Sequence, residues 1–94
     1  MATHLPPLER VRAAAARAVG ASQTVRAIEH GRAVLVLVAS DADRKVIEPV
    51  IRAAERQGVP LVEVESRREL GRACGIAVEA AAAAVLAPPD AAAS

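Results

Sequence analysis

The sequence predicts an α/β fold: a single-domain three-layer α-β-α sandwich around a small mixed four-stranded sheet. Three observations predict it. Segments with apolar residues at helical spacing alternate with short apolar runs of strand length, the pattern that puts helices on both faces of a sheet. The run at residues 33–39 is apolar throughout, as a central strand covered on both faces requires. The 94 residues suffice for one modest core and are too few for two.

Each element has its own justification. Pro6 and Pro7 stand where proline is tolerated, at the opening of a helix expected to run to about Arg17 with Leu8, Val11, Ala15 and Ala18 as its apolar stripe. A short strand through Ala18 and Val19 follows. Gly20 breaks the pattern, and Ser22 is the expected N-cap of a short helix over residues 23–30, closed by Gly31. Ala21, Val25 and Ile28 share one face of it, which turns Ser22, Gln23, Arg26, Glu29 and His30 elsewhere. After the strand at 33–39, Ser40, Asp41 and Asp43 supply loop and capping chemistry for a third helix. There Val46, Ile47, Val50, Ile51 and Ala54 repeat at helical spacing as far as Gln57 and Gly58, and Pro49 inside the repeat predicts a break or kink. Residues 60–65 read as a second buried strand. Ser66 and Glu69 have capping-box spacing at the head of a short helix that ends between Gly71 and Gly75. A last strand is expected over about residues 80–86. The domain should span residues 6–87, with flexible tails at 1–5 and 88–94.

Composition narrows the function classes. With 24 Ala among the apolar residues, the core must be thin and aliphatic. Phe, Tyr and Trp are absent, which excludes the base-stacking platforms of RRM, OB-fold and cold-shock modules. A net charge of +1 does not announce a polyanion partner. Eleven of the 12 basic residues are Arg, which suits bidentate recognition of guanine or phosphate, although a biased genomic base composition produces the same skew. The lone Cys74 excludes an internal disulfide, and with only His4 and His30 the chain has no ligand set for structural zinc. No cofactor is expected. The acidic and proline-containing N-terminus does not read as a signal peptide, and the apolar runs at 33–39 and 80–87 are far short of a membrane span. A cytoplasmic protein is the expectation.

Catalysis has little to stand on. Neither His lies in a Ser or Cys constellation, and His30 before Gly31 reads as a helix-end residue, so no enzyme is expected. Cys74, in a small-residue turn, reads as a buried packing residue. Asp41 and Asp43 form half of a metal or acid/base site, but no third carboxylate completes it and helix capping explains both. Gly71 and Gly75 bracket Arg72 with neither Rossmann nor Walker spacing, so a nucleotide site is not expected. Glycine there does allow backbone to approach a ligand, and Arg67, Arg68 and Arg72 put three positive charges beside it. That segment reads either as a ligand-facing loop or as a solvated helix face.

Four stretches taken together carry a resemblance. They are Gly20-Ala21-Ser22-Gln23-Thr24-Val25-Arg26; the strand at 34–39 followed by Asp41-Ala42-Asp43; Gly58-Val59-Pro60; and Ser66-Arg67-Arg68-Glu69-Leu70-Gly71-Arg72-Ala73-Cys74-Gly75-Ile76. In order and spacing, over roughly residues 8–86, this resembles the ribosomal L-seven-Ae family and its bacterial kink-turn-binding homologues. The resemblance implies a non-enzymatic protein that binds kink-turn RNA, reads the guanines of tandem sheared G·A pairs and stabilises the bend. It also implies roles. The helix after Gly20 enters the groove beside the kink. Gln23 takes the position that hydrogen-bonds guanine, and Arg26 a basic position that reaches guanine or phosphate oxygens. Ser22 departs from the longer Asn or Lys of many relatives. Ile47 falls where the family packs an aliphatic side chain near the extruded base, with Asp43 nearby, though core packing accounts for Ile47 equally well. Residues 65–74, with Glu65, Ser66, Arg67, Arg68 and Arg72, correspond to the late loop and its helix. The partner expected is structured RNA with a kink-turn, the ribosome among its hosts, bound by a monomer away from any membrane. Two rival readings remain: a structural ribosomal or RNP component acting mainly through protein contacts, and a small-ligand-binding α/β protein.

Overall fold

A computed structural model describes residues 6–87, so the tails expected at 1–5 and 88–94 lie outside the described residues. The elements are α1 (Pro7–Ala13), β1 (Arg17–Val19), α2 (Ala21–Glu29), β2 (Ala33–Ala39), α3 (Arg44–Gln57), β3 (Leu61–Val64), α4 (Arg67–Ala73) and β4 (Ala82–Leu86). The four strands form one sheet in the order β1-β4-β2-β3. β4 is antiparallel to both of its neighbours, and β2 runs parallel to β3.

The alternation of side chains along β2 creates the three layers. Val36 and Val38 join Ile28, Val50 and Ala54 beneath α2 and α3, while Leu35, Leu37 and Ala39 join Val11, Leu70 and Ala73 beneath α1 and α4. A register irregularity breaks the rule once. The register with β4 shifts between Ala33 and Leu35, so Ala33 packs on the α2/α3 side and Val34 between them is left 43% exposed. β4 is built of Ala82, Ala83 and Ala84, all fully buried, so the helices lie close over a strand with almost no side-chain height. Most of the apolar stabilisation falls to a few large residues such as Ile28, Leu37 and Leu70, each contributing about 1.5 to 3 kcal/mol on burial.

The three-layer α/β sandwich is as the sequence predicts, and four local expectations are corrected. α1 stops at Ala13, well short of Arg17, because residues 17–19 pair with β4 instead. The Arg17 guanidinium then closes the helix end, donating to the carbonyl of Val11 at 2.8 Å and of Arg12 at 3.3 Å. Ser22 is not the N-cap of α2. Gly20 is, at φ 98° and ψ 154°, with its own N–H donated to Ala82 at 2.8 Å, and the helix starts at Ala21. α3 runs through Pro49 without a break. Proline there forfeits one hydrogen bond in a helix otherwise anchored by buried Ile47, Val50, Ala53 and Ala54. β3 is an edge strand with only Val64 buried, so the segment at 60–65 covers one flank of the sheet instead of forming a buried strand.

Candidate nucleic-acid interface

The strand directions bring separate loops to one end of the sheet. The C-terminal ends of β1, β2 and β3 and the N-terminal end of β4 meet there. Gly20 N–H bonds Ala82 O at 2.8 Å, Ala39 N–H bonds Ala81 O at 2.9 Å, and Ser40 N–H bonds Val64 O at 2.8 Å. The start of α2, the turn before α3, the β3–α4 junction and the loop at 76–81 therefore share one rim.

On α2, Thr24, Ala27 and Ile28 are buried while Ser22, Gln23 and Arg26 are exposed. The first bond of the helix is Thr24 N–H to Gly20 O at 2.9 Å, so the amides of Ala21, Ser22 and Gln23 lie ahead of the helix's own ladder. Among the described residues no side chain caps them. They form the positive end of the helix dipole. Arg26 borders two grooves. Ser22, Arg26, Val46 and Pro49 line one, between α2 and α3; Gln23, Arg26, His30 and Arg32 line the other, toward the β1 side. Among the described residues Arg26 makes no ion pair, so its guanidinium is uncommitted.

Asp43 and Ile47 have structural positions. Asp43 is the N-cap of α3, its Oδ1 accepting the Lys45 N–H at 2.9 Å. Ile47 is 3% exposed and sits inside the core beneath α2 and α3, so its side chain is not presented to a ligand. This corrects the ligand-facing reading of Ile47. The aliphatic surface at this turn of α3 is its neighbour Val46, 44% exposed and facing Ser22 and Arg26 across the groove. Sequence periodicity missed Val46 because it counted toward the same apolar stripe.

The late segment divides in two. Ser66 caps α4 by accepting the Glu69 N–H at 3.1 Å. Arg67 is held from three directions: its N–H by Asp41 Oδ1 at 2.8 Å, its Nε 3.4 Å from the same oxygen, and its terminal nitrogen 3.5 Å from Glu79. Its carbonyl also accepts the Ala80 N–H at 3.1 Å. Arg67 thus ties the β2–α3 turn to the loop before β4. Asp41, expected to serve α3, caps α4. Glu65 is exposed at the same junction. Arg68 and Arg72, four apart, are exposed and line a third groove with Ile76, Val78 and Glu79. Val78 is 71% exposed, the most open large apolar side chain described, and nothing in the sequence pattern marked it. Gln23 and Arg26 therefore share one groove and Arg68 and Arg72 another.

The family model of the Ribosomal protein L7Ae/L30e/S12e/Gadd45 family matches residues 7–93. The chain belongs to this family. The similarity is close among bacterial members: an RNA-binding protein of Geobacillus sp. strain WCH70 is 46% identical over 78 residues, 83% of this chain and 95% of the relative. The RNA-binding protein YbxF of Geobacillus stearothermophilus has the same identity and coverage. Among solved structures, the Giardia lamblia 15.5kD RNA binding protein superposes with a TM-score of 0.81 at 32% identity, covering 88% of this chain and 72% of its own.

In this L7Ae-family chain the glycine of α4 has a packing reason. A Cβ at Gly71 would overlap the backbone carbonyl of Val78, so the loop at 76–79 lies directly on the helix. Cys74 is buried beside it, and burial pushes its thiol above the ordinary value while the Arg17 guanidinium pulls the other way. Among the described residues no group of three or more His, Cys, Asp or Glu gathers to hold a metal ion, and no helix is long and apolar enough to cross a membrane.

Proposed function

We propose that this chain is a non-enzymatic RNA-binding protein that recognises kink-turns through their tandem sheared G·A pairs and stabilises the bend. The observation that carries the reading is the pairing of exposed Gln23 and Arg26, three residues apart on α2, with the uncapped amides at the head of the same helix. Gln23 offers an acceptor and two donors to a guanine edge, and Arg26 a five-donor fork for guanine O6/N7 or a phosphate. Gly20 and Ser22 let backbone and one hydroxyl approach the same groove. The relatives' names as RNA-binding proteins point the same way.

The other rim residues have graded roles. Val46 supplies the aliphatic contact beside Ser22 and Arg26. Arg68 and Arg72, with Ile76 and Val78, contact the kink from the far side of the rim. Asp43, Ser66 and Arg67 hold the loops in place, and Glu65 stands at the junction between them. The protein acts without cofactor, as a cytoplasmic monomer, on a structured RNA that includes the ribosome among its hosts. A gel-shift series tests this. The protein should shift a kink-turn RNA and lose that shift when the G·A pairs are replaced by Watson–Crick pairs. Equal affinity for bent and straight duplexes would overturn the reading.

A further inference from the structure

We infer that the free edge of β3 is a docking site for an extended, basic segment of a partner protein, which adds to the sheet antiparallel as a fifth strand. The hydrogen bonds of the ladder fix what this edge offers. Val36 N–H bonds Pro60 O at 2.9 Å and Ser40 N–H bonds Val64 O at 2.8 Å, so the backbone groups of Pro60, Val62 and Val64 point toward β2. The N–H and C=O groups of Leu61 and Glu63 therefore point away from the sheet. β3 stands last in the order β1-β4-β2-β3, and among the described residues no backbone hydrogen bond outside that ladder engages Leu61 or Glu63. The opposite edge is a weaker template, because β1 has only three residues and its Arg17 is committed to the end of α1.

The side chains along the edge define the occupant. Leu61 and Ile51 are half-buried against the core beneath α3, and Val62 and Leu8 against the core beneath α1, so apolar surface borders the strand on both faces. An added strand covers it while its backbone takes up the free groups. Glu63 is exposed and among the described residues makes no ion pair; the same holds for Glu65, two residues on, and for Glu55, one helical turn after Ile51. These uncompensated carboxylates favour Lys or Arg in the occupant. In an antiparallel pair Leu61 and Glu63 each exchange both bonds with the residue opposite, which sets an apolar side chain against Leu61 and a basic one against Glu63. A second copy of β3 fits worse, because each antiparallel register that aligns the outward groups puts a carboxylate opposite an apolar side chain or another carboxylate. The segments of this chain outside residues 6–87 contain no Lys or Arg to supply the charge. β3 lies at the far edge of the sheet from β1 and the helix that follows it, so docking there leaves Gln23 and Arg26 free.

The probe is the acetylated and amidated peptide Lys-Val-Lys-Val-Val, which in antiparallel register sets its third residue against Glu63 and its fifth against Leu61. Amide hydrogen exchange of the full chain, read by NMR, is the measurement. In the free chain Leu61 and Glu63 should exchange fast while Val62 and Val64 are protected, and saturating peptide should slow the first two. Methylating the backbone nitrogens of the peptide's third and fifth residues should abolish that slowing. Glu63→Lys should weaken binding of this peptide about two- to fivefold, the scale of one cross-strand charge pair, and strengthen binding of Glu-Val-Glu-Val-Val by a similar factor. No slowing with peptide would overturn the docking site, and an affinity indifferent to Glu63→Lys would overturn its basic occupant. Slowing without peptide that grows with protein concentration would give the edge to a second copy and overturn the proposal. The peptide should still bind after kink-turn RNA is added at saturation; its displacement would make the edge part of the RNA surface and overturn the proposal too. Glu63 is exposed, and a thermal melt confirms that Glu63→Lys is folded.

Discussion

The Oδ1 atom of Asp41 accepts the backbone N–H of Arg67 at 2.8 Å, joining two loops 26 residues apart in sequence. The same oxygen lies 3.4 Å from Arg67 Nε, and the guanidinium reaches on to Glu79. Asp41→Ala leaves the first amide of α4 without its acceptor. The cost expected is about 1 kcal/mol, the usual worth of a cap. For a chain of this size that lowers the melting temperature by about 4 to 8 °C, measurable by circular dichroism. The exposed ion pairs add little, so Glu79→Gln should change stability by about 0.5 kcal/mol or less.

Gly71→Ala tests the contact between α4 and the loop that follows it. The added methyl meets the Val78 carbonyl, which is backbone and cannot rotate away. Destabilisation of about 1 to 3 kcal/mol is expected, read from the midpoint of a urea melt. Ala at this position with wild-type stability would show that the loop lies farther from the helix.

Ser22→Ala separates a capping role from a binding one. Because Gly20 is the N-cap and Ser22 lies inside α2, the variant should melt within about 0.5 kcal/mol of wild type. Loss of a true N-cap would cost about 1 kcal/mol instead. An affinity change for kink-turn RNA at unchanged stability would place the hydroxyl in the interface.

Arg26→Ala should weaken kink-turn binding by about 1 to 3 kcal/mol, the scale of one good base contact. Gln23→Ala should reduce the preference for G·A pairs over Watson–Crick pairs by a similar amount. Titration calorimetry checks both. Wild-type affinity for Arg26→Ala would mean that the groove helix is wrongly assigned.

Cys74 makes stability depend on alkaline pH. Burial raises its thiol in the folded chain, so the folded state holds that proton more tightly than the unfolded state does. The stabilisation is complete below the ordinary thiol value and is lost as pH rises through the folded one. Denaturation midpoints taken at increasing alkaline pH should fall, and Cys74→Ala should remove that component of the slope.

Much of this molecule was legible in the residues. β2, the cap at Ser66 and the exposure of Gln23 and Arg26 follow from period, short-range capping chemistry and one helical face, all of which are local. What local pattern does not determine depends on neighbours far along the chain. Residues 13–18 are nearly all Ala, whose small side chain leaves helix and strand undecided until β4 offers partners. Gly20 became the cap because Ala82 takes its N–H.

The sequence by itself determined the layered α/β class, the family's motif order and the residue types available to meet RNA. Only the tertiary structure decided which of them face outward together. It buried Ile47 and exposed Val46, and it tied Arg67 to Asp41 and Glu79 while leaving Arg26, Arg68 and Arg72 without an ion pair among the described residues. It also brought Glu29 to within 3.7 Å of Arg56 and gathered Arg26 and Arg32 about the groove toward the β1 side. The reason is that periodicity assigns a side chain to a face of its own element, whereas the partner standing on that face is set by sheet order and by loops converging from distant parts of the chain.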